Sequence, residues 1–266
     1  MRPFLRWAGG KRWLTDNSLV GLSNHSRIVE PFVGGGALFF AHHWPQAILA
    51  DTNRVLINTY NQMKCDHNRL FSLVSEHFRA HSTDHYYSVR AKMGHSSVQD
   101  AADFIYLNRS CFNGLFRVNL SGRFNVPVGS KVYQLLDPLE FDGWSEKLKN
   151  AEIRLADFEH TIDACSSGDF VFADPPYTVN HNSNGFIEYN EKIFSWDDQV
   201  RLHNCLMRAA QRGVSFAVTN ADHSTVRELY DGCAVQTVER GSEMAGRISA
   251  RGRTTEVVIT SLGAGL

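Results

Sequence analysis

The sequence predicts an α/β fold, a doubly wound and mainly parallel sheet carrying an inserted, mostly helical domain with a β-hairpin. Short apolar runs alternate with helix-like stretches, the pattern of βα units that lays strands side by side in parallel. The runs end in turns rich in Gly, Asp or Pro, and such sheets bind ligands at the carboxyl ends of their strands. The stretch 55–143 breaks this alternation with longer amphipathic patterns.

In order, the run 27–33 ends at Gly34-Gly35-Gly36, and a helix is expected over 37–43. The run 47–50 ends at Asp51. Within the insertion the spacing predicts amphipathic helices over 54–81 and 84–92, then a hairpin: 107–119 leads into the turn formers Ser121-Gly122-Arg123-Phe124. The run 151–155 ends at Ala156-Asp157-Phe158, and 169–173 ends at Asp174-Pro175-Pro176-Tyr177. A helix is expected over 195–211, and 214–218 ends at Thr219-Asn220. Strand-like alternation returns at 234–239 and 255–260, around a polar loop with Arg247, Arg251 and Arg253. The domain organisation that follows is 1–54 with 144–266 as one domain, and 55–143 inserted into it.

Composition narrows the function. Hydrophobic residues are 43% and charged residues 21% of 266, which excludes a disordered, collagenous or coiled-coil chain. No apolar run approaches a membrane span, and residues 1–7 carry no apolar signal core, so a cytoplasmic location is expected. The net charge of −1 excludes a globally cationic coat but permits a local basic surface. Five cysteines without a Cys-x-x-Cys pair fit reduced thiols. His42-His43 and the His77, His81, His85 series lack metal-ligand spacing and read as packing or surface residues, so no metal is expected.

Asp174-Pro175-Pro176-Tyr177 is the most informative tetrapeptide. Asp174 and the Pro175 carbonyl are acceptors, two prolines make the turn stiff and donor-free, and Tyr177 offers a flat face. That set suits a planar group bearing an exocyclic amine. Two acceptors aimed at its hydrogens favour a pyramidal nitrogen and stabilise the positive charge that develops on attack. The plainer reading is two prolines ending a strand. The turn at 30–36 is not Gly-x-Gly-x-x-Gly and has no Lys-Ser/Thr, so phosphate cradling is not indicated. It suits a nucleoside cofactor without a pyrophosphate, with Asp51 accepting from ribose hydroxyls. A tight turn and an Asp helix cap are the plainer readings. Near the start, Trp7 can stack and Lys11 can meet a carboxylate; an exposed basic arm is the alternative.

Taken together, these residues resemble the Dam family of site-specific DNA adenine-N6 methyltransferases. The matching blocks are Leu5-Arg6-Trp7-Ala8-Gly9-Gly10-Lys11, Glu30 to Gly36, Leu49-Ala50-Asp51-Thr52-Asn53, Leu107-Asn108-Arg109 through Pro127, and Asp174 to Tyr177. The resemblance implies a class I methyltransferase fold and S-adenosylmethionine as methyl donor. Trp7, Lys11, Glu30, Phe32, Gly34, Gly36, Asp51, Asp157, Phe158 and Asp174 would line the cofactor. Asp174, Pro175, Pro176 and Tyr177 would hold an adenine flipped out of the duplex.

The insertion would then read double-stranded DNA through Arg6, Phe112, Asn113, Leu115, Arg117, Asn119, Arg123 and, in the late loop, Arg247. Arg117 is the expected base reader, since arginine pairs with guanine O6 and N7. Phe112 stands where the family commonly has a Tyr that wedges into the base stack. Arg6 replaces a Lys usual in the family, at a position tied to the first base of the site. The expected site is GATC, and a cognate restriction endonuclease is a candidate partner; the oligomeric state is left open. The alternatives are a methyltransferase for cytosine N4 or an RNA adenine, a non-catalytic DNA-binding relative, and a nucleotide-dependent dehydrogenase. The missing Gly-x-Gly-x-x-Gly opposes the last.

Overall fold

The structure, a computed structural model, describes residues 1–7, 9–11, 13–14, 25–94, 96–119, 123–134, 137–178, 194–241 and 253–261. Seven strands among them form one sheet: β1 (Arg27–Glu30), β2 (Gln46–Asp51), β3 (Ala151–Leu155), β4 (Asp169–Ala173), β5 (Ser215–Ala221), β6 (Ala234–Gly241) and β7 (Arg253–Thr260). Their order is β3-β2-β1-β4-β5-β7-β6. β1 runs parallel to β2 and β4, and β4 to β5, whereas β7 lies antiparallel to both β5 and β6. This is the mainly parallel, doubly wound sheet expected. The order reverses between β1 and β4, so the crevice where such sheets bind ligands opens at the carboxyl ends of these two strands. Glu30 ends β1, and Asp174 follows β4 directly.

The chain divides into two compact units, Met1–Thr15 with Gly34–His43 and Asp51–Leu155, and Asp16–Val33 with Trp44–Ala50 and Ala156–Leu266. The second unit is built on an apolar core that includes Val29, Ile48, Val171, Phe216, Val218 and Ile259 from strands. Against them pack Phe158 and Ile162 of α7 (Phe158–Asp163), Leu202 and Leu206 of α8 (Trp196–Gln211), and Val226 of α9 (Ser224–Leu229); the helices are numbered in chain order. Ser195 caps α8 in a capping box with Asp198, the start expected from sequence.

The first unit holds α1 (Ala37–Ala41), α2 (Arg54–Cys65), α3 (His67–Arg79), α4 (Thr83–Lys92), α5 (Val98–Ser110) and α6 (Pro138–Leu148). The single helix expected over 54–81 is thus two, broken where Asp66 leaves helical geometry (φ −143°, ψ 44°). Residues 107–110, expected to open the hairpin, are instead the last turn of α5. That helix packs against α2, α3 and α4 and buries nine of its thirteen residues. Because it is buried almost all round, it shows no amphipathic stripe.

The histidine series is absorbed into this packing. His77 Nδ1 lies 3.0 Å from His85 Nε2, His77 Nε2 lies 2.9 Å from Asp103, and His81 meets the Tyr106 hydroxyl at 2.7 Å. All five cysteines are free. Among the described residues no helix is long and apolar enough to cross a membrane, and no cluster of His, Cys, Asp or Glu is arranged to hold a metal ion.

Candidate active site

β4 is buried at every residue and flanked by parallel neighbours. At Asp174 the chain leaves the sheet, and Pro175 and Pro176 offer no N–H to continue the ladder. Three side chains hold the resulting turn. Thr219 Oγ1 donates to Asp174 Oδ1 at 2.6 Å. Gln199 Nε2 donates to the Pro176 carbonyl at 3.4 Å, and Gln199 Oε1 accepts from Asn220 Nδ2 at 3.0 Å. Tyr177 donates its hydroxyl to Glu256 at 3.0 Å. Thr219, Asn220 and Gln199 are at most 1% exposed. The parallel register pairs Ala173 with Val218, which brings Thr219 beside Asp174. Sequence reasoning did not single out these three supports. The one available signal was Thr219-Asn220 at the end of the neighbouring strand.

Asp157 caps α7 by accepting from Glu159 N at 2.9 Å, and Arg201 grips both its oxygens at 2.7 and 3.1 Å. Burial works to raise the Asp157 carboxyl, but the Arg201 hydrogen bond and the Glu159 N–H outweigh it and hold the group below its ordinary range. The Arg201 guanidinium also lies 4.0 Å from the Phe158 ring centre. Phe158 is 4% exposed and stacks on Phe32 at 5.3 Å, with Phe194 closing the cluster. Of this pair, half-buried Phe32 keeps the more accessible face. Glu30, 2% exposed, ends β1 in the same unit.

In the first unit, the glycines expected to floor a cofactor pocket make room for aromatic side chains. A Cβ on Gly34 (φ 46°) would lie 2.8 Å from the Trp7 indole, and one on Gly36 (φ 64°) 2.8 Å from the Tyr60 hydroxyl. Tyr60 in turn donates to the Gly34 carbonyl at 3.1 Å. Asp51 accepts from Asn53 N at 2.9 Å and, more weakly, from Gly34 N at 3.4 Å. Burial pushes its carboxyl up to about 6 despite these bonds. Lys11 is 3% exposed and donates to the Gly9 carbonyl at 2.8 Å.

The same unit carries the expected reader. After α5 the chain makes a short 3-10 turn, Phe112–Gly114, in which Asn113 adopts the left-handed region at φ 55°. Phe112 is 47% exposed, an uncovered aromatic on a turn anchored by its N–H to the Pro127 carbonyl at 2.9 Å. The hairpin follows: Val118 bridges Phe124, Asn119 N donates to the Arg123 carbonyl, and Asn125 N donates to that of Arg117. Exposed Arg117 has its Nε tied to Asn125 Oδ1 at 2.9 Å. The exposed Asn119 side chain spans the hairpin, accepting from Arg123 N at 3.0 Å. Leu115 is half-buried, and its carbonyl accepts from Cys111 Sγ. Arg123 is exposed. Residues 120–122, 180–185 and Arg247 lie outside the described residues.

A mainly parallel, doubly wound sheet whose fourth strand ends in an acidic Pro-Pro-aromatic turn is the arrangement of a class I methyltransferase. Comparison with known proteins narrows this. The family model of the D12 class N6 adenine-specific DNA methyltransferases matches residues 7–244, and the chain belongs to that family. It is 36% identical to the type II methyltransferase M1.LlaDCHI of Lactococcus lactis subsp. cremoris, over 99% of this chain and 96% of the relative. It is 32% identical to the DNA adenine methylase of Serratia marcescens, over 97% of each. It is also 32% identical to the type II methyltransferase M.MjaIII of Methanocaldococcus jannaschii, over 90% and 91%. The protein is an adenine-N6 DNA methyltransferase, as the sequence motifs imply.

Proposed function

We propose that the enzyme flips an adenine out of duplex DNA and transfers to its N6 a methyl group from S-adenosylmethionine, at the site GATC. The observation that carries this reading is the held turn at 174–177. Asp174, fixed by Thr219, and the Pro175 carbonyl accept the two N6 hydrogens, while the Tyr177 ring, steadied by Glu256, stacks on the base. The amine's lone pair is then directed at the incoming carbon, and the charge developing on nitrogen faces a carboxylate. The attack is direct. Cys111 takes no part, because burial pushes its thiol up to about 11.

S-adenosylmethionine supplies, when bound, an electrophilic methyl carbon on a cationic sulfur. The residues fit such a group. Asp51 is a desolvated carboxyl with acceptor capacity for a vicinal diol, and Trp7, Lys11, Glu30, Phe32, Gly34, Gly36, Asp157, Phe158 and Asp174 complete the set. On the DNA side, Phe112 would wedge into the stack vacated by the base, with Asn113 beside it. Arg117 and Arg6 would read guanines, and Leu115, Asn119, Arg123 and Arg247 would complete the interface. The type II relatives favour a restriction–modification setting in the cytoplasm, with a restriction endonuclease of the same site as partner.

The test is single-molecule sequencing of a plasmid propagated with the enzyme in a methylation-free host. The expected result is N6-methyladenine at GATC and nowhere else. N4-methylcytosine in place of N6-methyladenine would overturn the chemistry, and N6-methyladenine at another sequence would overturn the site.

A further inference from the structure

Arg6 does not stand free on the protein surface. Its guanidinium carbon lies 3.8 Å from the centre of the Tyr133 ring. Its main chain is clamped on both sides by one buried residue: Arg6 N donates to Asn108 Oδ1 at 2.8 Å, and Asn108 Nδ2 donates to the Arg6 carbonyl at 2.7 Å. The next residue, Arg109, holds the tyrosine. Its Nε donates to the Tyr133 carbonyl at 2.8 Å, and its own carbonyl accepts from Tyr133 N at 3.0 Å. Arg109 also reaches the Phe4 carbonyl. The last turn of α5 thus pins together the segment bearing the arginine and the segment bearing its ring. Gly114 (φ 65°) leaves the remaining room: a Cβ there would come 2.7 Å from the Arg6 Cβ and 3.0 Å from its Nε. Within this socket Arg6 NH1 is buried and has no hydrogen-bond partner.

We propose that Tyr133 is a specificity-determining positioning residue: it fixes the Arg6 guanidinium flat as a preformed fork for the outer guanine of the site. This rests on the reading of Arg6 as the outer-base reader and adds what holds it. A buried N–H without a partner is costly in the free protein, and an acceptor brought by a ligand would relieve that cost. The two acceptors of guanine's major-groove edge, O6 and N7, match a planar guanidinium. The ring also accounts for arginine where the family usually has lysine. A guanidinium stacks flat on an aromatic face and presents a fixed fork, whereas an ammonium is a rotating point charge.

The experiment measures kcat/KM on duplexes carrying each of the four base pairs at the outer position, for Arg6→Ala, Arg6→Lys, Tyr133→Ala, Tyr133→Leu and Tyr133→Phe. Discrimination is expected to fall about fivefold or more in Tyr133→Ala and Tyr133→Leu, the size of a partly desolvated cation–π contact, and to persist in Tyr133→Phe, which keeps the ring. Tyr133→Leu keeps bulk at the position, so its loss cannot be laid to a cavity. Arg6→Lys should discriminate less than the wild type. If Arg6→Ala loses outer-base discrimination while Tyr133→Ala and Tyr133→Leu retain it, the positioning role is overturned and Arg6 remains a reader. If Arg6→Ala itself discriminates as the wild type does, both readings fall.

Discussion

Replacing Thr219 with valine tests the catalytic turn at its most sensitive support. The two side chains have nearly the same shape, so the change removes one hydroxyl from a site that is 0% exposed and leaves the packing of β5 intact. The bond removed is a 2.6 Å O–H···O⁻ contact that fixes Asp174 Oδ1. A hydrogen bond to a charged acceptor contributes about 1.5–3 kcal/mol net, and about 1.4 kcal/mol is a factor of ten in rate. If the bond serves to orient the carboxylate toward the amine, its loss lowers kcat by about tenfold to a hundredfold. KM for DNA should change little, because the residues proposed to grip the duplex, Arg6, Phe112 and Arg117, are untouched. Thr219→Ser, which keeps the hydroxyl, should recover most of the rate. The assay is single-turnover transfer of a labelled methyl group to a duplex oligonucleotide, with thermal melting as the control for folding. A valine variant that melts like the wild type and transfers within twofold of its rate would show that Asp174 needs no such support.

Asp174→Ala removes one of the two amine acceptors and should abolish measurable turnover with the melting transition preserved; normal methylation by that variant would refute the assigned role. Asp51 links function to pH with a definite sign. Its folded carboxyl sits at about 6, above the ordinary 3.8, so the native state binds the extra proton and stability falls as pH rises from about 4 to about 6. Above that window the ionised group costs up to about 3 kcal/mol. Asp51→Asn should therefore raise the melting temperature of the unliganded enzyme at pH 7.5 while weakening S-adenosylmethionine binding, and the wild-type dissociation constant should climb as pH drops below 6. Calorimetric titration across pH 5–8 checks this, and a pH-independent wild-type affinity would contradict it. Arg117→Ala should relax preference at one base pair by about 1–3 kcal/mol; an unchanged profile on a randomised site library would place the reader elsewhere.

The sheet was legible because its strands are short apolar runs closed by Gly, Asp or Pro, and those closures mark where the chain leaves the ladder. α5 was not legible. A stripe appears only when one helix face meets water, and α5 buries nine of thirteen residues, so its sequence resembles neither an amphipathic helix nor a strand. A trace survived in Ser97 and Asp100, which form its capping box. In the site, the turn at 174–177 announced itself through its prolines. Its supports did not, because Thr219, Gln199 and Glu256 lie 45, 23 and 79 residues from the groups they hold. A threonine or glutamine in isolation carries no sign of such a partner. Only the parallel register of β4 and β5 makes Thr219 the neighbour of Asp174.

Several residues that a motif places at the ligand have partners inside the protein that account for their identity. Gly34 admits Trp7, the Asn119 side chain closes the hairpin, and Asp157 caps α7 and binds Arg201. Substituting these would disturb folding and activity together, so activity loss alone would not assign them a contact. The residues that break local rules with only partial internal compensation are different. Phe112 is an exposed aromatic, Asn113 holds a left-handed backbone without being glycine, Asp51 is a half-buried carboxyl whose desolvation outweighs its backbone hydrogen bonds, and Arg6 has a buried nitrogen with no acceptor. Each costs free energy in the unliganded fold, and such conflicts persist where a ligand resolves them. Their chemistry sorts them without reference to any relative. An exposed ring and an unsatisfied guanidinium suit stacked bases and a guanine edge, and a desolvated carboxyl suits a pair of hydroxyls.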